Sequence, residues 1–195
     1  MERMTTGLIA GLTATAPMTV AMELMHRRLP QREQYPLPPR EITMKLADGV
    51  GLAEHLDEPQ RRDLTMLGHF GYGALAGALY APLARRCPAH PVVKGAAFGL
   101  GLWAASYAGW LPAAGIMPPP TRQPARRNAL MIVAHVVWGA ATGIVAARLA
   151  EAEHGAFSRA RGTIGRRRSN SAPRSEPAEE PIGATATGRG LERVT

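Results

Sequence analysis

The sequence predicts an all-α polytopic membrane protein, a bundle of four transmembrane helices, and two observations carry that prediction. Four stretches contain no Asp, Glu, Lys or Arg: Thr5 to Met22, Leu64 to Ala84, Gly95 to Thr121 and Asn128 to Ala147. Each of them also holds a Gly-x-x-x-Gly step. Their lengths of 18, 21, 27 and 20 residues meet the need of a helix for about 20 residues to cross roughly 30 Å of hydrocarbon. A soluble helix of that length shows charges on its wet face, whereas the polar positions here are mostly Gly, Ser, Thr, His and Tyr. The competing reading is a soluble Ala/Gly-rich helical protein, which would need core packing alone to produce four charge-free segments at regular spacing. The mean hydropathy of the whole chain is mildly negative because it averages these segments with a polar first loop and an Arg-rich tail.

The first helix is expected from Thr5 or Thr6 to about Arg28, with Gly7 and Gly11 on one small face. Pro17 lies inside it, and proline removes a backbone donor, so a local kink or a rearranged hydrogen bond is expected there. A cleaved secretory signal is the alternative for residues 1–22. Glu23, Met25, Arg27 and Arg28 come directly after the apolar run without a small-residue cleavage site, so an uncleaved span is expected.

Residues 29–63 form a long loop in which Pro30, Pro36, Pro38 and Pro39 stop regular structure and Glu41 to Ala47 makes a short helix. Asp57 is the N-cap of the second span, with Pro59 and Gln60 opening it. That helix presents Gly73 and Gly77, and the short connection to Lys94 makes it an antiparallel neighbour of the third span. The third span carries Gly95 and Gly99 and crosses from about Val93 to Leu111, because Pro112 and the run Pro118 to Pro120 interrupt the rest of that charge-free stretch. The fourth starts near Asn128 and carries Gly139 and Gly143. Residues 1–150 thus form the transmembrane domain. Residues 151–195, rich in Arg, Ser, Pro, Gly and Ala, are expected to be a disordered basic C-terminal tail.

Lipid is as apolar as leucine, so helices in a membrane gain from close backbone approach rather than from burying hydrocarbon. The eight glycines therefore read first as packing residues, and as space for a ligand second. Sequence alone leaves open whether they meet within one chain or between copies.

His69 and His135 enter their spans at similar depth from the same face, and Glu23 and His26 close the first span on that side. Ionisable groups in hydrocarbon face a bundle interior, so Glu23, His69 and His135 form the candidate polar or proton site. Axial ligation of haem by His69 and His135 is an alternative. The bland reading has each histidine bonded to a backbone carbonyl or to Tyr72, joining helices. Trp110 suits an interfacial anchor, and Trp103 and Trp138 suit helix contacts.

Ser106 is outside any nucleophile elbow, Cys87 is a lone loop cysteine without a sequence-defined base, and no phosphate loop or metal motif occurs. No enzymatic activity, cofactor or metal is therefore expected. The net charge of +8 is spread over loops and tail without a nucleic-acid fold, which favours anionic lipid heads over nucleic acid as the partner. The N-terminus, second loop and C-terminus hold the larger share of the Lys and Arg residues, so an N-in, C-in topology is expected.

Gly7-Leu-Ile-Ala-Gly11, Glu23, Pro38-Pro39-Arg40, Gly68-His69, Met117-Pro118-Pro119 and Ala134-His135-Val136-Val137-Trp138 succeed one another in an order that resembles the bacterial YagU-like inner-membrane proteins. In that resemblance Pro38, Pro39 and Arg40 match a loop signature, His69 a Gly-His step, and His135 with Trp138 a His-x-x-Trp pattern. It implies an integral, multi-pass inner-membrane protein connected with acid tolerance and assigns no catalytic residue. The expected function is a small accessory or stress-related membrane protein, as a homo-oligomer or with a membrane protein partner. The alternatives are a proton-linked channel or transporter using His69 and His135, and a bis-histidine haem protein.

Overall fold

Three of the four charge-free stretches lie within long helices, the third is divided among shorter elements, and the described residues contain helices, turns and loops but no strand. The computed structural model of the chain describes residues 2–84 and 86–170. Helix α1 spans Glu2–His26 and runs through Pro17 without a break. A single turn at Gln31–Glu33 leads to α2, Pro38–Gly49. Pro38 and Pro39, expected to stop regular structure, instead open this helix, because the missing N–H of proline costs nothing in a first turn.

Helix α3 spans Glu58–Ala84 and begins as its sequence predicts. The Gln60 backbone N–H donates to Asp57 Oδ1, and the Asp57 N–H donates to Gln60 Oε1, each at 2.9 Å, a reciprocal capping box. Helix α4, Pro91–Ala104, is shorter than the expected third span and passes into a π-helical segment, Ala105–Trp110. Gly109 breaks the helix there with φ −112° and ψ −105°. A wider turn fits just ahead of Pro112, whose ring and missing N–H disrupt an ordinary α-turn. A single turn, α5, Leu111–Ala113, comes next, and α6 spans Ala125–Asn170.

One compact unit comprises Met1–Gly155 and a second Ala156–Thr195. The tail expected from residue 151 is helical through Asn170, in keeping with the strong helix formers Ala, Glu and Arg after residue 145. Its residues 171–195 lie outside the described part.

The glycine steps meet two by two within one chain. A β-carbon on Gly7 would strike the Gly77 carbonyl, and one on Gly11 the Gly73 carbonyl, while coming within 2.8 Å of the Gly77 Cα. Likewise a β-carbon on Gly95 would strike the Gly139 carbonyl, one on Gly99 the His135 carbonyl, and one on Gly143 the Pro91 carbonyl. The order of these pairs makes α1 antiparallel to α3, and α4 antiparallel to α6. Lys94 Nζ donates to the Ala84 carbonyl at 3.2 Å and joins α3 to α4. Trp138 Nε1 donates to the Gly11 carbonyl at 3.2 Å and closes α6 onto α1. Four helices thus form an antiparallel ring, with α3 and α6 on one diagonal.

Two of the four are long and apolar enough to cross a membrane: Met4–His26 in α1 and Ala125–Glu153 in α6. Helix α3 is diluted by Gly, His69, Tyr72 and Tyr80, and α4 ends after 14 residues. Composition by itself therefore marks two candidate spans where four are expected.

Candidate functional site

Where the first and third long loops meet the bundle, the helices part around a cavity of about 200 Å³. The two sequence-predicted histidines both line it, His69 from α3 and His135 from α6. His135 is buried, and its Nδ1 lies 2.8 Å from the Met131 carbonyl of its own helix. A carbonyl only accepts, so Nδ1 carries a proton, and whenever the ring is neutral Nε2 is left as its acceptor. The edge of the ring meets Tyr107, with centroids 5.8 Å apart. His69 Nε2 is shielded from solvent and has no hydrogen-bond partner. Neither histidine therefore joins helices by the bond that the bland reading expects: His135 turns back on its own helix, and Tyr72 pairs its hydroxyl with Ser106 Oγ at 3.0 Å.

The π-helical segment supplies the opposite wall. Its widened turn brings Ser106 and Tyr107 inward, both buried, and leaves Trp110 exposed at the rim. Helix α2 covers the mouth with Ile42 and Leu46. A cavity of this size takes one aromatic ring rather than a porphyrin, so haem ligation by the two histidines gains no support from the space between them.

Glu23 shares a cavity with His69 but not with His135. It lines a neighbouring cavity of about 280 Å³ with His26, Arg40, Arg62 and His69, and its Oε1 is 3.0 Å from Arg27 Nε. The three-residue cluster is therefore split, with His69 in the wall between two cavities. In the loop signature, Pro38 is fully buried, Pro39 lines both cavities, and Arg40 bridges α2 to α3 through Glu58, Nη1 to Oε1 at 2.7 Å. The Arg40 guanidinium holds the Glu58 carboxyl below its ordinary value of 4.5, and hydrogen bonding to Glu58 raises the pKa of Arg40. Among the described residues no group of three His, Cys, Asp or Glu is placed to hold a metal ion.

Sequence reasoning missed Arg127. It is buried at the start of α6, where Nη1 donates to the carbonyls of Glu33 at 2.9 Å and Tyr35 at 3.0 Å, and Nη2 to that of Pro36 at 2.9 Å. Its guanidinium carbon also sits 3.5 Å above the centre of the Tyr35 ring. This clamp fixes the first long loop, and with it α2 over the cavity. Asn128 does the same for the proline-rich loop, donating from Nδ2 to the Pro120 carbonyl at 2.7 Å.

Residues 23–144 match a family described as protein of unknown function (DUF1440). The chain belongs to the DUF1440 family. The DUF1440 segment contains both histidines, α2, the π-helical wall and Arg127, hence the whole helical frame of the cavity except most of α1. The Gly7 and Gly11 step precedes it. No curated protein and no solved structure matches the chain.

Proposed function

We propose that this DUF1440 protein is an integral membrane protein of four crossings. On its resemblance to YagU-like proteins we place it in the bacterial inner membrane as a small accessory protein in acid or stress tolerance rather than an enzyme, and on its Lys and Arg distribution we orient it N-in and C-in. The observation that carries the reading is an inverted distribution of side-chain size. Along their glycine seams the helices turn Gly, Ala and Thr toward one another, and on the outer faces they carry large aliphatics. In α1, Ala10, Ala14 and Thr15 are buried while Val20 is 58% exposed; in α3, Gly73, Ala76 and Gly77 are buried while Leu67 is 71% and Leu75 66% exposed. Helices α4 and α6 repeat the pattern with Val93, Leu100, Val133 and Ile144. A water-soluble bundle buries such residues, whereas lipid solvates them and leaves small residues to bring backbones together.

Topology labelling tests the reading. Cys87 is the lone cysteine and is exposed in the α3–α4 turn. With four crossings it sits on the cytoplasmic side, so an impermeant maleimide reaches it only after permeabilisation. In a Cys87→Ala background, Arg32→Cys should react in intact spheroplasts. Labelling of both positions from one side would refute four crossings.

A second reading, proton-linked transport, is favoured by the placement of His69 and His135 in one cavity. In the proposed topology that cavity opens in the periplasmic half of the membrane. It predicts pH-driven flux in liposomes that His135→Ala abolishes while the protein keeps its fold; flux unchanged by that substitution would rule the histidine mechanism out.

A further inference from the structure

Helix α2 carries an apolar stripe that runs off the edge of the bundle. At about 3.6 residues per turn, Pro39, Ile42, Leu46 and Val50 share one face of it, and Glu41, Lys45 and Asp48 lie round the other side. The stripe begins half-buried, with Pro39 and Ile42 over the cavity. Farther on it emerges: Leu46 is 52% exposed and Val50 77%. Leu52, 43% exposed, extends the apolar surface past the helix end.

These three side chains do not belong to a frayed end. The Leu52 N–H donates to the Ala47 carbonyl at 2.8 Å, and the Gly51 N–H to that of Asp48 at 2.9 Å. With Gly51 at φ +70°, that is a Schellman motif, which folds the chain after a helix back onto its last turn. Ala47, which the motif sets against Leu52, is buried. Arg61 then holds the next segment, Nη2 donating to the Ala53 carbonyl and Nε to that of Leu56, each at 3.0 Å. Apolar side chains fixed together in the open mark a surface that meets another apolar phase.

The ties to α3 set the depth of this surface. Thr43 packs on Gly68, where an added β-carbon would come 3.1 Å from Thr43 Oγ1. Gly68 lies four residues, about 6 Å at helical rise, beyond Leu64, which opens the charge-free stretch. Arg61, tied to Ala53, lies three residues before Leu64. Residues 46–52 are therefore held between a level inside the α3 span and one just outside it, the zone where amphipathic helices lie in a bilayer. Trp110, exposed, lines the same cavity as Leu46, and an exposed tryptophan marks that zone too. Lys45 and Asp48, both exposed, take the opposite, wet side.

We infer that the C-terminal half of α2, with Leu46, Val50 and Leu52, is a membrane anchor seated at the lipid headgroups, its occupant being the bilayer rather than a second protein. The inference rests on the membrane reading above, in whose topology the leaflet is the periplasmic one.

Spin labelling of the full chain, in vesicles of phosphatidylethanolamine and phosphatidylglycerol, provides the test. In a Cys87→Ala background, nitroxides go on Val50→Cys and Asp48→Cys, both at exposed positions. The pair Leu46→Cys and Lys45→Cys repeats the comparison should either of the first variants fail to elute as the parent does. Leu75 is 66% exposed on α3, and a label on Leu75→Cys reports lipid for the four-crossing reading. Dioxygen concentrates in lipid and a nickel chelate in water. The ratio of dioxygen to nickel collision rates should be several-fold higher at position 50 than at 48, and at 46 than at 45. Equal ratios within the pairs overturn the inference, and so does shielding of position 50 from both reagents, which would mean that protein covers it. A water-like ratio at 50 with a lipid-like ratio at 75 removes the anchor and leaves the four-crossing reading standing; water-like ratios at both positions remove the two together.

Discussion

Arg126 and Arg127 stand side by side at the start of α6, and only one of them is exposed. Arg127 serves three backbone carbonyls of the first long loop. Removing it strands those acceptors in a buried setting, so Arg127→Ala should lower stability by about 2–4 kcal/mol, against less than about 0.5 kcal/mol for Arg126→Ala. Denaturant unfolding in detergent measures both. Nothing in the dipeptide distinguishes its two members, because the difference is a helical rotation of one residue relative to a loop some 90 positions away. The histidines were more legible. Counting helical rise from each span's entry placed His69 and His135 at one depth, and the structure lines one cavity with both. The same counting put Glu23 with them but could not foresee that Arg27, one turn on, holds its carboxylate. Tyr107 and Ser106 were not placed in the site because a π-helical turn changes which residues face inward, and residue periodicity assumes a regular helix.

Among the elements, the paired glycines set the helix spacing. A methyl group at Gly77 would collide with the Gly7 carbonyl and come within 2.6 Å of the Gly11 Cα, both backbone atoms that cannot swing away. Gly77→Ala should therefore destabilise the bundle by about 3 kcal/mol, the upper end for overpacking. Gly101→Ala meets nothing within 4 Å and should stay within about 1 kcal/mol of the parent; thermal unfolding of the two variants side by side is the check. The Arg40–Glu58 bridge joins α2 to α3 and carries a pH dependence. Because the folded-state carboxyl lies below its ordinary value of 4.5, its contribution is present above that value and is lost as pH falls through the lowered one. Glu58→Gln should remove this acid-sensitive part at low salt, and since the pair is largely exposed, high salt should hide most of the difference. The capping box at Asp57 was legible because caps are local chemistry. The start of α2 was not: two prolines serve equally to end one element or to open the next.

For the whole molecule, the outward aliphatics and the exposed Trp110 predict contact with lipid. In bilayers containing brominated phospholipid, tryptophan emission should be quenched, and Trp110→Phe should remove most of that quenching, since Trp138 is 2% exposed and Trp103 half-buried. Undiminished quenching in the variant would mean that another face meets the lipid. By itself the sequence determined that four helical segments hold the charge-free stretches and roughly where α1 and α3 lie and α6 begins, which residues are small enough for close approach, and that two histidines share a depth. These come from composition, spacing and helical rise, which are local. Only the tertiary structure decided that the glycine steps pair within one chain, α1 with α3 and α4 with α6. It alone set Glu23 in a cavity with His69 but away from His135, and lined a second cavity with Tyr107, His135 and His69. Those outcomes depend on the rotation of each helix about its axis and on the π-turn before Pro112, which the packing of all four helices settles together.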